Sequence, residues 1–329
     1  MPSSNVRYPM PLTRLNPWYP GQLGVSGTAN ETGLRMDCNG TVFYVDPNYP
    51  GVVDNRDGTD PNAPFATIAA ALSKCVDYNN DVVVVMAADT WQYGEGASRT
   101  VDVVESVEVT VHGVRIMGIS PSGSLGVTWR PATAGGIACT VSALDVLIEG
   151  FLFDGFDGAG AGGDAILAEW NGTTLWGENM TVRNCFFSED IDIAIQLEFA
   201  WNCYISHNMF QQCDAHGIYV DPAGSGAAYL IINDNVFHDC DVAMALNGVD
   251  ESQIMRNVIF NANAQTPAAA TDEGIDTTGG ARNTVADNYF SCVLPAAAAG
   301  DWDDLNTASA SDAWISNHLL NGDSVTNPT

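Results

Sequence analysis

Short apolar runs interrupted by an asparagine recur along the chain. NMTVRNCFF at 179–187 is the first clear copy, followed by CYISHNMF (203–210), YLIINDNVF (229–237), SQIMRNVIF (252–260) and RNTVADNYF (282–290). A degenerate AWISNHLL at 313–320 closes the series. In each copy an apolar run meets an Asn, and a large apolar side chain follows two residues later. The Asn positions are 184, 208, 235, 257, 288 and 317, spaced by 24, 27, 22, 31 and 29 residues. A second phrase trails the Asn: AIQL (194–197), GIYV (217–220), AMAL (243–246) and GIDT (274–277). Upstream, LIEGFLF (147–153) and AILA (165–168) fit the same register, with Gly150 in the Asn place. A self-similar unit with a soft period marks a repeat architecture.

Each phrase is four to six residues long and rich in Ile, Val, Phe and Tyr, which suits a strand and is too short for a helix. Two or three short strands joined by polar turns of variable length describe one coil of a parallel β-helix. A single coil cannot bury its apolar side, so coils stack and their Ile and Phe side chains become one continuous core. Asn184, Asn208, Asn235, Asn257 and Asn288 are expected to form one column, making the bend between strands in the left-handed region and bonding from coil to coil. Gly150 tolerates the same bend. The expected fold is all-β: a right-handed, single-stranded parallel β-helix with an N-terminal capping helix. A sandwich of irregular hairpins leaves the six Asn copies unexplained.

Charge narrows the partners. The 329 residues hold 11 Lys+Arg against 40 Asp+Glu, a net charge of −29, and Lys74 is the one lysine. DNA, RNA and an anionic membrane would be repelled. No apolar run approaches the roughly 20 residues of a membrane-spanning helix. The opening MPSSNVRYPMPLTRLNPWYP lacks the basic-then-apolar layout of a secretory signal, which favours synthesis in a cytoplasm over export. The eight Cys are then buried small hydrophobes rather than a disulfide framework. Cys213 and Cys240 follow Phe210 and Phe237 by three residues on neighbouring coils and should stack, with a disulfide as the sharper alternative.

Residues 42–75, VFYVDPNYPGVVDNRDGTDPNAPFATIAAALSKC, resemble the opening of many pectin-lyase-like β-helix proteins. The resemblance rests on Tyr44, Val45, Gly58, Thr59, Pro64, Phe65, Thr67, Ile68 and Leu72, and extends more loosely through the repeats. Physically, Pro64 can open a helix whose Phe65, Ile68, Ala69 and Leu72 form one apolar stripe, able to cover the open end of the first coil. The layout expected is an arm at 1–41, a cap segment at 42–80, the β-helix at 81–320 and a tail at 321–329. DVVVVMAADTWQYG (81–94) reads as the first buried strand, and the Gly-rich stretch 154–165 as a bulging turn.

The resemblance raises polysaccharide chemistry, and the family signatures match only in part. Ala215-His216-Gly217-Ile218 lacks the Asp pair and the Arg-x-Lys of polygalacturonases. Arg183, Arg256 and Arg282 lie in repeat strands rather than in a pectate-lyase set, and Asp221-Pro222-Ala223-Gly224 loses the His and Glu of an epimerase. The residues themselves offer a better candidate. If Ile166, Ile195, Ile218, Met244 and Ile275 point inward, then Glu169, Glu198, Asp221, Asn247 and Thr278 point out. Three carboxylates would stack about 4.8 Å apart, followed by Trp170, Phe199 and Pro222 as an apolar strip of the kind sugars stack on. Such carboxylates repel, which raises a pKa or recruits a cation, so Glu169, Glu198 and Asp221 form the candidate Ca²⁺ site. The plain alternative is a solvated acidic face. No complete catalytic set is expected; Glu169, Glu198, Asp221 and His216 are the residues that would carry turnover if there were any.

The resemblance implies a non-catalytic structural or adhesive component of a bacteriophage particle, such as a capsid decoration, head fibre or tail-associated protein. It would be made in the host cytoplasm and assembled as a homo-oligomer, a trimer by analogy of fold. Its arm would contact other virion proteins, and a surface glycan is a further expected partner. A polysaccharide hydrolase or lyase and a secreted carbohydrate-binding protein remain as alternatives.

Overall fold

Each apolar phrase is a strand, and like phrases stack. The computed structural model describes residues 40–86, 103–119, 127–154, 163–170, 177–189, 191–221, 227–261, 273–292, 306–307 and 311–319. Among these, ten strands from Val42–Val45 to Ala313–Ile315 form sheet A, nine from Val103–Val104 to His318–Leu319 form sheet B, and eight from Val107–Val109 to Asn306–Thr307 form sheet C. Neighbours within every sheet are coils apart in sequence and parallel, as Tyr204–Ser206 beside Ile231–Asn233 shows. One coil visits A, B and C in turn, for example through Tyr204–Ser206, Met209–Gln211 and His216–Val220.

The core is three inward columns. Sheet A supplies Ile148, Val182, Ile205, Ile232 and Ile254, aligned strand to strand and fully buried. Sheet B supplies Phe153, Phe187, Phe210 and Phe237, whose rings stack within 5° of parallel at centroid distances of 5.1, 4.8 and 4.5 Å. Burying each such ring is worth roughly 1.5–3 kcal/mol. In sheet C, Ile166, Ile195, Ile218, Met244 and Ile275 align and are fully buried, the inward set the spacing predicts.

The corner between sheets A and B divides its work differently from the expectation. The left-handed residue is not the ladder Asn but the one before it: His207, Asp234, Arg256, Asp287 and Ser316 have φ between 54° and 57°. The Asn that follows is buried. Asn208, Asn235, Asn257 and Asn288 each pass a side-chain amide bond to the next, ending at Asn317, at 3.0–3.1 Å. Asn235 also donates to Ile205 O and accepts from the Asn208 backbone N–H, so the amide is satisfied on both sides. Asn184 is one residue out of this column. It holds the left-handed position (φ 53°), and Cys185 stands in the ladder, its N–H donating to Asn208 Oδ1. The reason lies in the coil below: buried Glu149 accepts from Asn184 Nδ2 at 2.8 Å and from Arg183 Nη2 at 2.9 Å, closing the ladder with a charge pair. Gly150 does share the place of Asn184, at φ 79°, and a Cβ there would lie 2.5 Å from Gly118 O. Only glycine fits that contact.

Sheet A begins at Val42–Val45, alternately half-buried and buried, and its partner Val82–Met86 is the first strand buried along its whole length, as expected. Helix α1 (Ile68–Leu72) packs against Val42–Val45, Val82–Met86 and Val107–Val109. Thr67 caps it, Glu105 accepts from the Ile68 and Ala69 N–H groups, and Phe65, Ile68 and Leu72 are buried in the common core. The Gly-rich stretch from 155 to 162, residues 1–39 and the tail beyond 320 lie outside the described residues. None of the described helices is long and apolar enough to cross a membrane. Cys213 and Cys240 are free thiols on adjacent coils, without the alternative disulfide.

Candidate functional site

Sheet C turns a second set of side chains outward. Leu167, Gln196 and Tyr219 align across three coils. Beyond the strand ends the ladder continues: the N–H groups of Glu169, Glu198 and Asp221 donate to Val141 O, Ala168 O and Leu197 O at 3.0, 2.7 and 3.2 Å. The three carboxylates therefore stand in one row, half-exposed, with half-exposed Asn247 and exposed Thr278 further along. Burial pushes the Glu169 carboxyl up, followed by repulsion from Glu198 and Glu108. Glu198 is raised by burial and by Asp221, while the Gln196 amide, 3.0 Å from Glu198 Oε1, holds it back. The row is a line along the axis; among the described residues no group of three His, Cys, Asp or Glu side chains is arranged to hold a metal ion.

Beside the row lies an aromatic edge. Trp170 is 40% exposed and meets Phe199 edge-on at 5.4 Å between centroids. Phe199 sits at φ 53°, an outlying conformation for a bulky residue, and its ring is turned to Trp170 from there. Pro222, the third member of the expected strip, lies outside the described residues.

His216 is not brought to the row. It opens the strand His216–Val220 whose far end leads to Asp221, roughly 16 Å away at 3.3 Å per residue. Its ring lies against Tyr219 at 4.6 Å, and its buried Nδ1 has no hydrogen-bond partner. Burial lowers its pKa more than Asp192 raises it. Around this end of the face stand Asp164, Asp192 and Asp214. Burial and then Asp192 push Asp164 to about 6, and the same two causes raise Asp214. Asp164 and Asp192 were not foreseen. They precede the inward Ile166 and Ile195 by two and three residues, and this changing offset hides them from a fixed register. The described cations fall on the cap segment, the corners and sheets A and B, so among the described residues the face carries acids and rings without a lysine or arginine.

A family profile described as a right handed beta helix region matches residues 100–290. The chain belongs to the right-handed beta helix family. Among solved structures, this β-helix protein is similar to DFA-IIIase from Arthrobacter chlorophenolicus A6, with 16% identity, 76% of this chain and 61% of the other covered, and a TM-score of 0.47. ORF18 of Geobacillus virus E2 is similar at 9% identity over 85% of this chain and 62% of the other, with a TM-score of 0.38. Pectate lyase Pel9A is similar at 12% identity over 87% and 78%, with a TM-score of 0.35. The chain thus spans under two thirds of the length of DFA-IIIase. A comparison with curated protein sequences found no match.

Proposed function

We propose that this β-helix protein is a non-catalytic structural or adhesive component that binds a neutral glycan chain along the outer face of sheet C. The observation that carries this reading is the Trp170–Phe199 pair set beside the row Glu169, Glu198 and Asp221. Aromatic faces take the apolar face of a sugar ring, and carboxylates accept its hydroxyls. Among the described residues a uronate chain would meet negative charge there and be repelled. The setting we propose is a bacteriophage particle, by analogy of fold: residues 42–75 resemble the opening of pectin-lyase-like β-helix proteins, a fold frequent in virions. Its arm at 1–41 would bind other virion proteins in a homo-oligomer. α1 serves in this reading as the lid of the solenoid, supported by its buried Ile68 and Leu72 and by Phe65 just before it.

A second reading, glycoside hydrolysis, has one observation in its favour. Glu169 and Glu198 lie on neighbouring strands, about 4.8 Å apart as strands, near the roughly 5 Å of a retaining carboxylate pair, and both are raised in pKa. The test is to pass the full chain over immobilised neutral and acidic polysaccharides, then look for new reducing ends or unsaturated products. Retention on a neutral glycan without products supports binding. Turnover abolished by Glu198→Gln or Asp221→Asn overturns it in favour of the enzyme.

A further inference from the structure

The outer face of sheet A holds an open cavity of about 500 Å³, between the 76–80 loop and the strands Arg115–Ile119, Leu147–Glu149 and Thr181–Arg183. Its volume falls within the range of small-molecule sites. In a chain of 11 Lys+Arg, two arginines meet here. Arg183 gives one Nη to Glu149, yet its buried Nε–H has no partner. Arg115, half-buried, has no side-chain hydrogen bond or ion pair among the described residues. Asn80, Asp145, Asn179 and Thr181 complete the polar lining, and Tyr78 forms the aromatic wall.

The walls are fixed before any ligand arrives. Tyr78 stacks on His112 at 5.0 Å, its N–H donating to His112 O. His112 in turn accepts from the Leu144 N–H at Nδ1, and its own N–H donates to Asp77. Asn179 Nδ2 holds Asp145 at 3.0 Å.

We propose that this cavity binds a singly charged, hydroxyl-bearing carboxylate: an acidic monosaccharide, or the acidic end residue of a glycan. With Arg183 paired to Glu149, Arg115 and Asp145 are the charges left in the lining: the planar guanidinium of Arg115 suits one carboxylate, and Asp145 is left to the hydroxyls. Asp145 accepts a sugar hydroxyl but repels a phosphate of higher charge, as does the net −29 of the whole chain. The site shares no residue with the sheet C face and does not depend on its function.

Calorimetric or NMR titration of the full chain with glucuronic acid, glucose and inorganic phosphate at matched ionic strength tests the proposal. Glucuronic acid should bind at least about tenfold tighter than glucose, and Arg115→Gln should lower its affinity about tenfold with the melting temperature kept. Tyr289→Phe, exposed on sheet B and outside both faces, should leave it unchanged. Should Arg115→Gln melt early, Asn80→Asp decides: a new carboxylate at the rim should weaken glucuronate binding most at low salt. Glucose binding as well as glucuronate, phosphate displacing it, or unchanged binding in both variants would each overturn the proposal.

Discussion

The outer faces of sheets A and C are laid on the same coils, yet they carry opposite chemistry. The strands Leu147–Glu149 and Ile166–Ala168 belong to one turn, but the first leads to Arg115 and Arg183, and the second to Glu169 and Glu198. The inward columns beneath them are alike: Ile148, Val182 and Ile205 on one side, Ile166, Ile195 and Ile218 on the other. In a solenoid, inward positions and corners specify the fold, and outward positions are free to specify chemistry face by face.

The strongest way to break that division is to strike the shared ground. Phe237→Ala removes a ring stacked 4.5 Å from Phe210 and should cost about 3–5 kcal/mol. Denaturant melts should show it, with both faces losing their ligands together. Asn235→Ala comes next. It leaves the buried Asn208 backbone N–H without its partner and takes one bond each from Asn208 Nδ2 and Asn257 Oδ1, and should cost about 2–3 kcal/mol, read from the same melts. A loss under 1 kcal/mol would mean the ladder only decorates the corner.

Trp170→Ala should separate the faces. Truncating an anchoring aromatic loses about 1–2 kcal/mol of binding, so glycan retention on the sheet C face should fall about tenfold while stability and the Arg115 cavity are untouched. The smallest effect belongs to Asp164. Its folded pKa, about 6, lies above the ordinary 3.8. The folded state therefore binds the proton more tightly, and its favourable contribution, present below pH 3.8, is lost as pH rises toward 6. Asp164→Asn should raise the melting temperature relative to wild type above pH 6, and the advantage should shrink on acidification. An advantage equal at pH 4 and pH 7 would assign it to something other than the charge.

How far the sequence carries can be judged at single residues. The sheet C register was legible because Ile166, Ile195, Ile218, Met244 and Ile275 recur in one kind of phrase, and from them the row of Glu169, Glu198 and Asp221 follows. The Asn column was legible except at its first member. Asn184 and Asn208 look equivalent in the string, but their corners differ by one residue, and what moves Asn184 is Glu149, some 35 residues away. The cavity at Arg115 was hidden for the same reason: Tyr78, Arg115, Asn179 and Arg183 share no motif and meet only when coils stack. Patterns with a period show in a sequence; meetings between periods do not.

The cysteines give the solenoid a gauge of its own fraying. Cys139, Cys185, Cys203, Cys213 and Cys240 are unoxidised and sealed in the core of four coils along the axis, Cys203 and Cys213 sharing one. Burial pushes the Cys185 and Cys203 thiols up to about 12, and Cys213 is raised by its hydrogen bond with Cys240 and by burial. Since the thiolate is the reacting form, an alkylating reagent meets each sulfur only when its own coil opens. Coils hold only to their neighbours, so opening should spread from the ends, and the order in which these sulfurs are alkylated, read by mass spectrometry, is a map of where the winding comes undone.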